Sequence, residues 1–173
     1  MTETTAHTLV LLRHAKAADS GVTDHDRELS AQGQSEAAAV GRWLVEAGRS
    51  FDAVLCSTAT RTRQTWNGIA AAGVSTDDVR FDRQIYDGGP EEVLGALAEV
   101  RAGACSVLVI GHAPTIPELA DLLADHEASD AAALEALQSS FPSGCLAVLN
   151  VSGPWAELAP ATATLSEVAT PRP

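Results

Sequence analysis

Four side chains in this sequence have the types and placement to handle a phosphoryl group. Arg13 and His14 follow the apolar run at residues 9–12, Arg61 comes shortly after the run at 53–56, and His112 follows the run at 106–110. A neutral imidazole is a good nucleophile, and neighbouring guanidinium groups disfavour its protonated form. Arginine offers forked N–H donors that match phosphate oxygens. A second imidazole can donate to the equatorial oxygens or support developing charge. Such a set can carry out phosphoryl transfer through a covalent phosphohistidine, with positioning and electrostatics supplying most of the rate.

These groups cooperate only if the elements bearing them end at one edge. Short apolar runs alternate with helical patterns along the chain. Residues 7–12 read as a strand, and Ala37, Val40, Leu44 and Ala47 mark a helix from Ser30 to a stop near Gly48. A strand at 53–56, a helix at 60–72 and a short strand at 79–81 follow. Pro90 opens the next helix, with Glu91 and Glu92 in its first turn. Residues 106–110 are the clearest buried strand. Helices at 116–124 and 131–137 precede β-like segments at 145–151 and 156–165. Residues 19–26 read as a loop and 170–173 as a frayed tail. The alternation predicts an α/β fold, a three-layer sandwich with a mostly parallel central sheet flanked by helices. It is expected to be a single domain over residues 1–173, with a core at about 7–165. In such sheets ligands sit beyond the carboxyl ends of strands, which sends Arg13, His14, Ser57, Arg61 and His112 to one edge. The helix opening near Thr60 adds an anion-friendly N-terminus there.

LVLLRHAKA, then STATRTRQT, then VLVIGHAPT, supported by DRELSAQG and FPSGCLAVL, are similar to the motifs of a known family. Over about residues 8–148 the chain resembles the histidine phosphatase superfamily, the phosphoglycerate-mutase-like group. The resemblance is to its compact phosphohistidine phosphatases of the SixA kind. It implies His14 as nucleophile, Arg13 and Arg61 as clamps on the phosphoryl oxygens, His112 completing the pocket, and no cofactor. Two departures stand out. Ala15 follows the Arg-His pair where many relatives carry Gly. Larger ester-cleaving relatives supply a glutamate acid before the Gly-His motif, yet no Glu occurs between Glu46 and Glu91. Asp87, in FDRQIYDGG, is the nearest equivalent. Expelling an alkoxide needs a general acid, whereas a protonated imidazole leaves readily, so a weak acid favours N–P over O–P cleavage. Ser57 and Lys16 are further candidates for contacting substrate, Ser57 with an equal claim as a helix cap and Lys16 as a solvated loop charge. Asp24, Asp26 and Arg27 read as a structural charge group at the rim.

The expected activity is hydrolysis of phosphohistidine on a phosphotransfer or signalling protein. The alternatives are a small-molecule phosphomonoesterase and a module that binds a phosphorylated partner with little turnover. The balance of charge narrows the partners. A formal net charge of −12, a pI near 4.6 and the lack of any Lys/Arg run exclude nucleic acid and anionic membranes as natural ligands. No apolar stretch approaches the roughly 20 residues of a membrane span. The first residues do not read as a signal peptide, so the cytoplasm is the expected compartment. Cys56, Cys105 and Cys145 form no C-x-x-C pair and are expected to be buried, inert thiols. The five histidines lack metal-ligand spacing, and no metal is expected. Nucleotide-cradling, dinucleotide-binding and serine-hydrolase motifs are missing too. The residues do not address oligomeric state.

Overall fold

Leu9, Val10, Leu11 and Leu12 are all fully buried in β1 (Ala6–Arg13). Successive strand residues face opposite sides, so an unbroken apolar run requires cover on both faces. That cover is present. Leu9 and Leu11 pack in one core with Val93, Leu97, Ile116 and Leu119, and Val10 and Leu12 pack in another with Val40, Leu44, Trp66 and Ile69. The computed structural model that shows this describes residues 6–19 and 22–173. Residues 1–5, on which the signal-peptide reading rests, and residues 20–21 of the loop at 19–26 lie outside the described residues.

The central sheet has six strands in the order β3-β2-β4-β1-β5-β6. They are β1, β2 (Ala53–Ser57), β3 (Val79–Asp82), β4 (Ser106–Gly111), β5 (Leu146–Ser152) and β6 (Ala163–Ala169). β3, β2, β4 and β1 run parallel, and β5 and β6 complete the sheet antiparallel. Helices α1 (Ala31–Glu46) and α2 (Thr60–Ala71) cover one face. The other carries α3 (Arg83–Asp87), α4 (Pro90–Ala98), α5 (Thr115–Leu123) and α6 (Ala131–Ser139). This is the α/β sandwich that the alternation predicts, with a mixed, mostly parallel sheet. Arg13 pairs in register with Gly111, and Cys56 with Ile110. The carboxyl ends of β1, β2 and β4 therefore meet at one edge.

Four local expectations change. Helix α3 is not among the expected elements; at five residues it is too short for a period, and the Asp82 side chain caps it on the Gln84 amide. The last strand begins later than expected. Trp155–Glu157 form a 3-10 turn anchored by a buried Trp155, whose Nε1 donates to the Ala104 carbonyl at 2.8 Å, and β6 starts only at Ala163. The tail is not frayed: Arg172 donates to the Ser143 carbonyl at 3.2 Å and pairs with Glu36 at 3.5 Å. Cys105 is exposed, while Cys56 and Cys145 are buried. Among the described residues no helix is long and apolar enough to cross a membrane.

Candidate active site

The Arg-His pair is pinned from both sides. The Arg13 amide donates to the Cys145 carbonyl and the His14 amide to the Gly111 carbonyl, both at 3.0 Å. The Gly144 amide in turn reaches the Arg13 and His14 carbonyls at 3.1 and 3.0 Å. Immediately afterwards the Ala15 amide donates to Thr65 Oγ1 on α2 at 3.1 Å. The chain next passes under the start of α1, where the Ser30 amide donates to the Lys16 carbonyl at 2.9 Å. A Cβ on Gly33 would lie 2.0 Å from that carbonyl, so the first turn of α1 can sit here only as glycine. Ala15, the departure from the family pattern, is fully buried and accommodated.

Arg61, buried in the first turn of α2, organises the two imidazoles. Its Nε–H donates to His14 Nε2 at 3.3 Å, and its Nη2 reaches His112 Nδ1 at 3.2 Å. A guanidinium can only donate, so both ring nitrogens accept and their protons lie elsewhere. His14 then carries its proton on Nδ1, donated to the Ala15 carbonyl at 2.7 Å. The lone pair is left on Nε2. His112 carries its proton on Nε2, donated to Ser57 Oγ at 2.8 Å. The two rings lie 5.2 Å apart, centroid to centroid.

Electrostatics keep both rings neutral. Burial first, then the Arg61, Arg13 and Arg27 charges, push His14 down to about 4, although its bond to the Ala15 carbonyl pulls the other way. His112 falls to about 3, again by burial first, with His14 and Arg61 adding to it. Arg13 fixes its guanidinium by donating Nη1 to the Phe141 carbonyl at 2.9 Å, while its buried Nε has no hydrogen-bond partner among the described residues.

The structure thus brings together Arg13, His14, Ser57, Arg61 and His112. Ser57 is wholly buried, accepting from His112 and from the Ala59 amide at 3.2 Å; it orients the imidazole and does not cap α2, whose N-cap is Ala59. Lys16 is exposed and lines the same cleft of about 560 Å3. Asp87 does not join them. Its carboxylate pairs with Arg83 at 2.8 Å, one turn earlier on α3, and lines a separate depression with Gln84 and Glu92. The i,i+4 spacing holds these two side chains on one face of the helix, facing outward. Tyr86 turns inward in its place, edge-on to His112 at 5.6 Å, with its hydroxyl on Asp24 Oδ2 at 2.8 Å.

Two carboxylates near the cleft have no part in its chemistry that the sequence reveals. Asp24 accepts Arg61 Nη2 at 3.1 Å, and its own carbonyl takes Nη1 at 2.7 Å. The bonds from Tyr86 and Arg61 hold its carboxyl down at about 2, so it stays ionised. Glu36 is only 1% exposed. It accepts from the Lys16 amide at 3.0 Å, from Gln32 at 2.9 Å and from Ser143 at 3.3 Å, and pairs with Arg172. A signal for Glu36 exists: it falls on the apolar stripe of α1, four positions before Val40, where a carboxylate needs a reason. Arg172 carries none.

The family model for the histidine phosphatase superfamily (branch 1) matches residues 9–83. An uncharacterized protein of Mycobacterium tuberculosis is 40% identical over 162 residues, which cover 93% of this chain and 100% of the relative. A solved structure from Nakamurella multipartitia, provisionally described as the phosphohistidine phosphatase SixA, is 44% identical. The match covers 96% of each chain with a TM-score of 0.85. A second, from Agrobacterium tumefaciens with the same provisional description, is 29% identical over 95% of this chain and 99% of its own, with a TM-score of 0.76.

Proposed function

The chain belongs to branch 1 of the histidine phosphatase superfamily, and from that premise we propose that it hydrolyses phosphohistidine through a covalent phospho-His14. The observation that carries this is a neutral His14 whose Nε2 meets Arg61, beside an Asp24 carboxylate that stays ionised. Nε2 attacks phosphorus, and the N–P bond to the substrate imidazole breaks. Arg13 and Arg61 are the donors for the oxygens that gain charge, with the His112 ring held beside His14 by Arg61 and Ser57. Phosphorylation at Nε2 makes the His14 ring cationic, and the Ala15 carbonyl that holds Nδ1–H stabilises that charge. Water then attacks phosphorus, orthophosphate leaves, and the neutral ring is restored.

The leaving group decides the substrate class. With Asp87 paired to Arg83 and Asp24 ionised, neither of these carboxyl groups is placed to protonate a departing alkoxide. A phosphohistidine already protonated on its ring leaves as neutral imidazole and needs no such help. The SixA descriptions of the similar structures point the same way.

The test compares a phosphohistidine protein, an aryl phosphate and a sugar phosphate, each with the wild type and His14→Ala. Phosphohistidine should show the highest kcat/KM by at least about tenfold, and His14→Ala should lose about 10³-fold or more. Acid-labile phosphate should label the wild type alone. Equal rates for both proteins would remove His14 as nucleophile, and a preference for the sugar phosphate would replace the substrate.

A further inference from the structure

The phosphoryl pocket occupies only part of its cleft, whose volume of about 560 Å3 lies within the roughly 300–1,000 Å3 of sites for whole small ligands. Five of the chain's eleven Lys and Arg residues line it: Arg13, Lys16, Arg27, Arg61 and Arg172. In a protein of net charge −12 that concentration is selective. Arg13 and Arg61 belong to the phosphoryl pocket. Arg27 is already neutralised, with Asp24 at 3.3 Å, Asp19 at 3.8 Å and the Ala18 carbonyl at 3.3 Å.

Lys16 and Arg172 are different. Lys16, the only lysine in the chain, is exposed and makes no ion pair among the described residues. The Arg172 side chain is 41% exposed. Its Nη1 and Nη2 share the Ser143 carbonyl at 3.2 Å, and Nη1 lies 3.5 Å from Glu36, so further N–H groups remain for a ligand. Glu36 braces both: one oxygen accepts the Lys16 amide and the other faces Arg172. With its side chain 2% exposed and its oxygens met by four groups, Glu36 fixes the Lys16 backbone and the Arg172 guanidinium and presents almost none of its own surface to a ligand.

We infer that Lys16 and Arg172 form a second anion subsite, which selects a carboxylate beside the phosphoryl group, as in an acidic residue flanking a phosphohistidine. This rests on His14 being the phosphoryl acceptor, and it adds a reason for recognition to that reading. A lone phosphoryl group engages one end of the cleft. A ligand with a neighbouring carboxylate engages both.

Two non-hydrolysable probes test it without turnover: phosphonoacetate, which carries a phosphonate and a carboxylate, and methylphosphonate, which carries only the former. The wild type should bind phosphonoacetate at least tenfold more tightly. Lys16→Ala and Arg172→Gln should each cut that ratio at least fivefold, while Arg83→Ala, which removes a remote surface charge, should keep it. A wild-type ratio near one, or the same fall in Arg83→Ala, would overturn the subsite. In a parallel arm, phosphohistidine peptides with Glu or Ala next to the phosphorylated residue are offered as substrates. Retained probe selectivity with neither peptide hydrolysed supports the subsite and rejects the phosphohistidine reading. Hydrolysis of both peptides at equal kcat/KM, with no probe selectivity, does the reverse.

Discussion

At the scale of single residues, the site works by deciding where protons sit. Arg61 donates to one nitrogen of each histidine and so sets both tautomers. Ser57 completes the arrangement, because its oxygen is the acceptor for the His112 Nε2 proton. Without that oxygen the His112 ring loses its orienting partner, while Arg13 and Arg61 still hold the phosphoryl group. Ser57→Ala should therefore lower kcat about tenfold with a much smaller change in KM, and Ser57→Thr should restore part of it. Steady-state kinetics on the best substrate would show this, and a change confined to KM would argue that Ser57 only binds. Much of this level is legible in the chain, since Arg13, His14, Arg61 and His112 each come after a strand-like run. Asp87 sits apart from these four, because its place in the chain says nothing about which way a five-residue helix turns. Its i,i+4 partner Arg83 holds it outward, and Tyr86 takes the inward position.

Among the elements, the start of α1 does more than cover the sheet. Ser30 caps the helix on the Gly33 amide and also donates its hydroxyl to the Lys16 carbonyl, which ties the loop after His14 to the helix. Gly33 permits the approach. In Gly33→Ala the new Cβ meets the Lys16 carbonyl at 2.0 Å, and backbone cannot step aside as a flexible side chain can. The variant should lose about 1–3 kcal/mol of stability, seen as a lower urea midpoint, and kcat/KM should fall with it as the loop carrying Ala15 and Lys16 shifts. An unchanged midpoint would mean that α1 slides freely. The boundaries of α1 and β4 are readable because caps, glycine stops and unbroken apolar runs are local signals. β6 is not, because residues 156–165 carry apolar spacing that the buried Trp155 and its 3-10 turn use first.

For the whole molecule, the two histidines of the cleft couple the site to folding. Both have pKa values well below the ordinary 6.5, at about 4 for His14 and about 3 for His112. The unfolded chain therefore binds these protons first as pH falls. The stability held by the neutral rings is complete above about pH 6.5, declines through the window from 6.5 to 4, and for His112 continues down to about 3. Asp24, held at about 2, acts in the same direction at lower pH. Urea unfolding at about pH 7.5 and about pH 4.5 should differ by a few kcal/mol, and His112→Asn should flatten part of the slope. A slope that this substitution leaves untouched would place the linkage elsewhere. The same scale explains how a protein of net charge −12 can receive a phosphoryl group: five cations line one cleft while the acidic residues lie mostly outside it.

The order of residues along the chain is enough to set the layered α/β architecture and the four residues that follow its strands. Both depend on periodicity and on the side chains placed directly after each apolar run, and these are properties of neighbouring positions. The rest comes from the fold alone: which carboxylates reach the cleft, which nitrogen of each histidine carries its proton, and that Arg172 closes one wall. Those depend on partners far apart in the chain, such as Ser143 and Glu36, 107 positions apart. A charge or a hydrogen bond leaves no periodic trace of the residue it will meet. Glu36 shows the boundary between the two: its place on the apolar face of α1 is visible in the chain, while the four groups that make its burial tolerable are supplied by the fold.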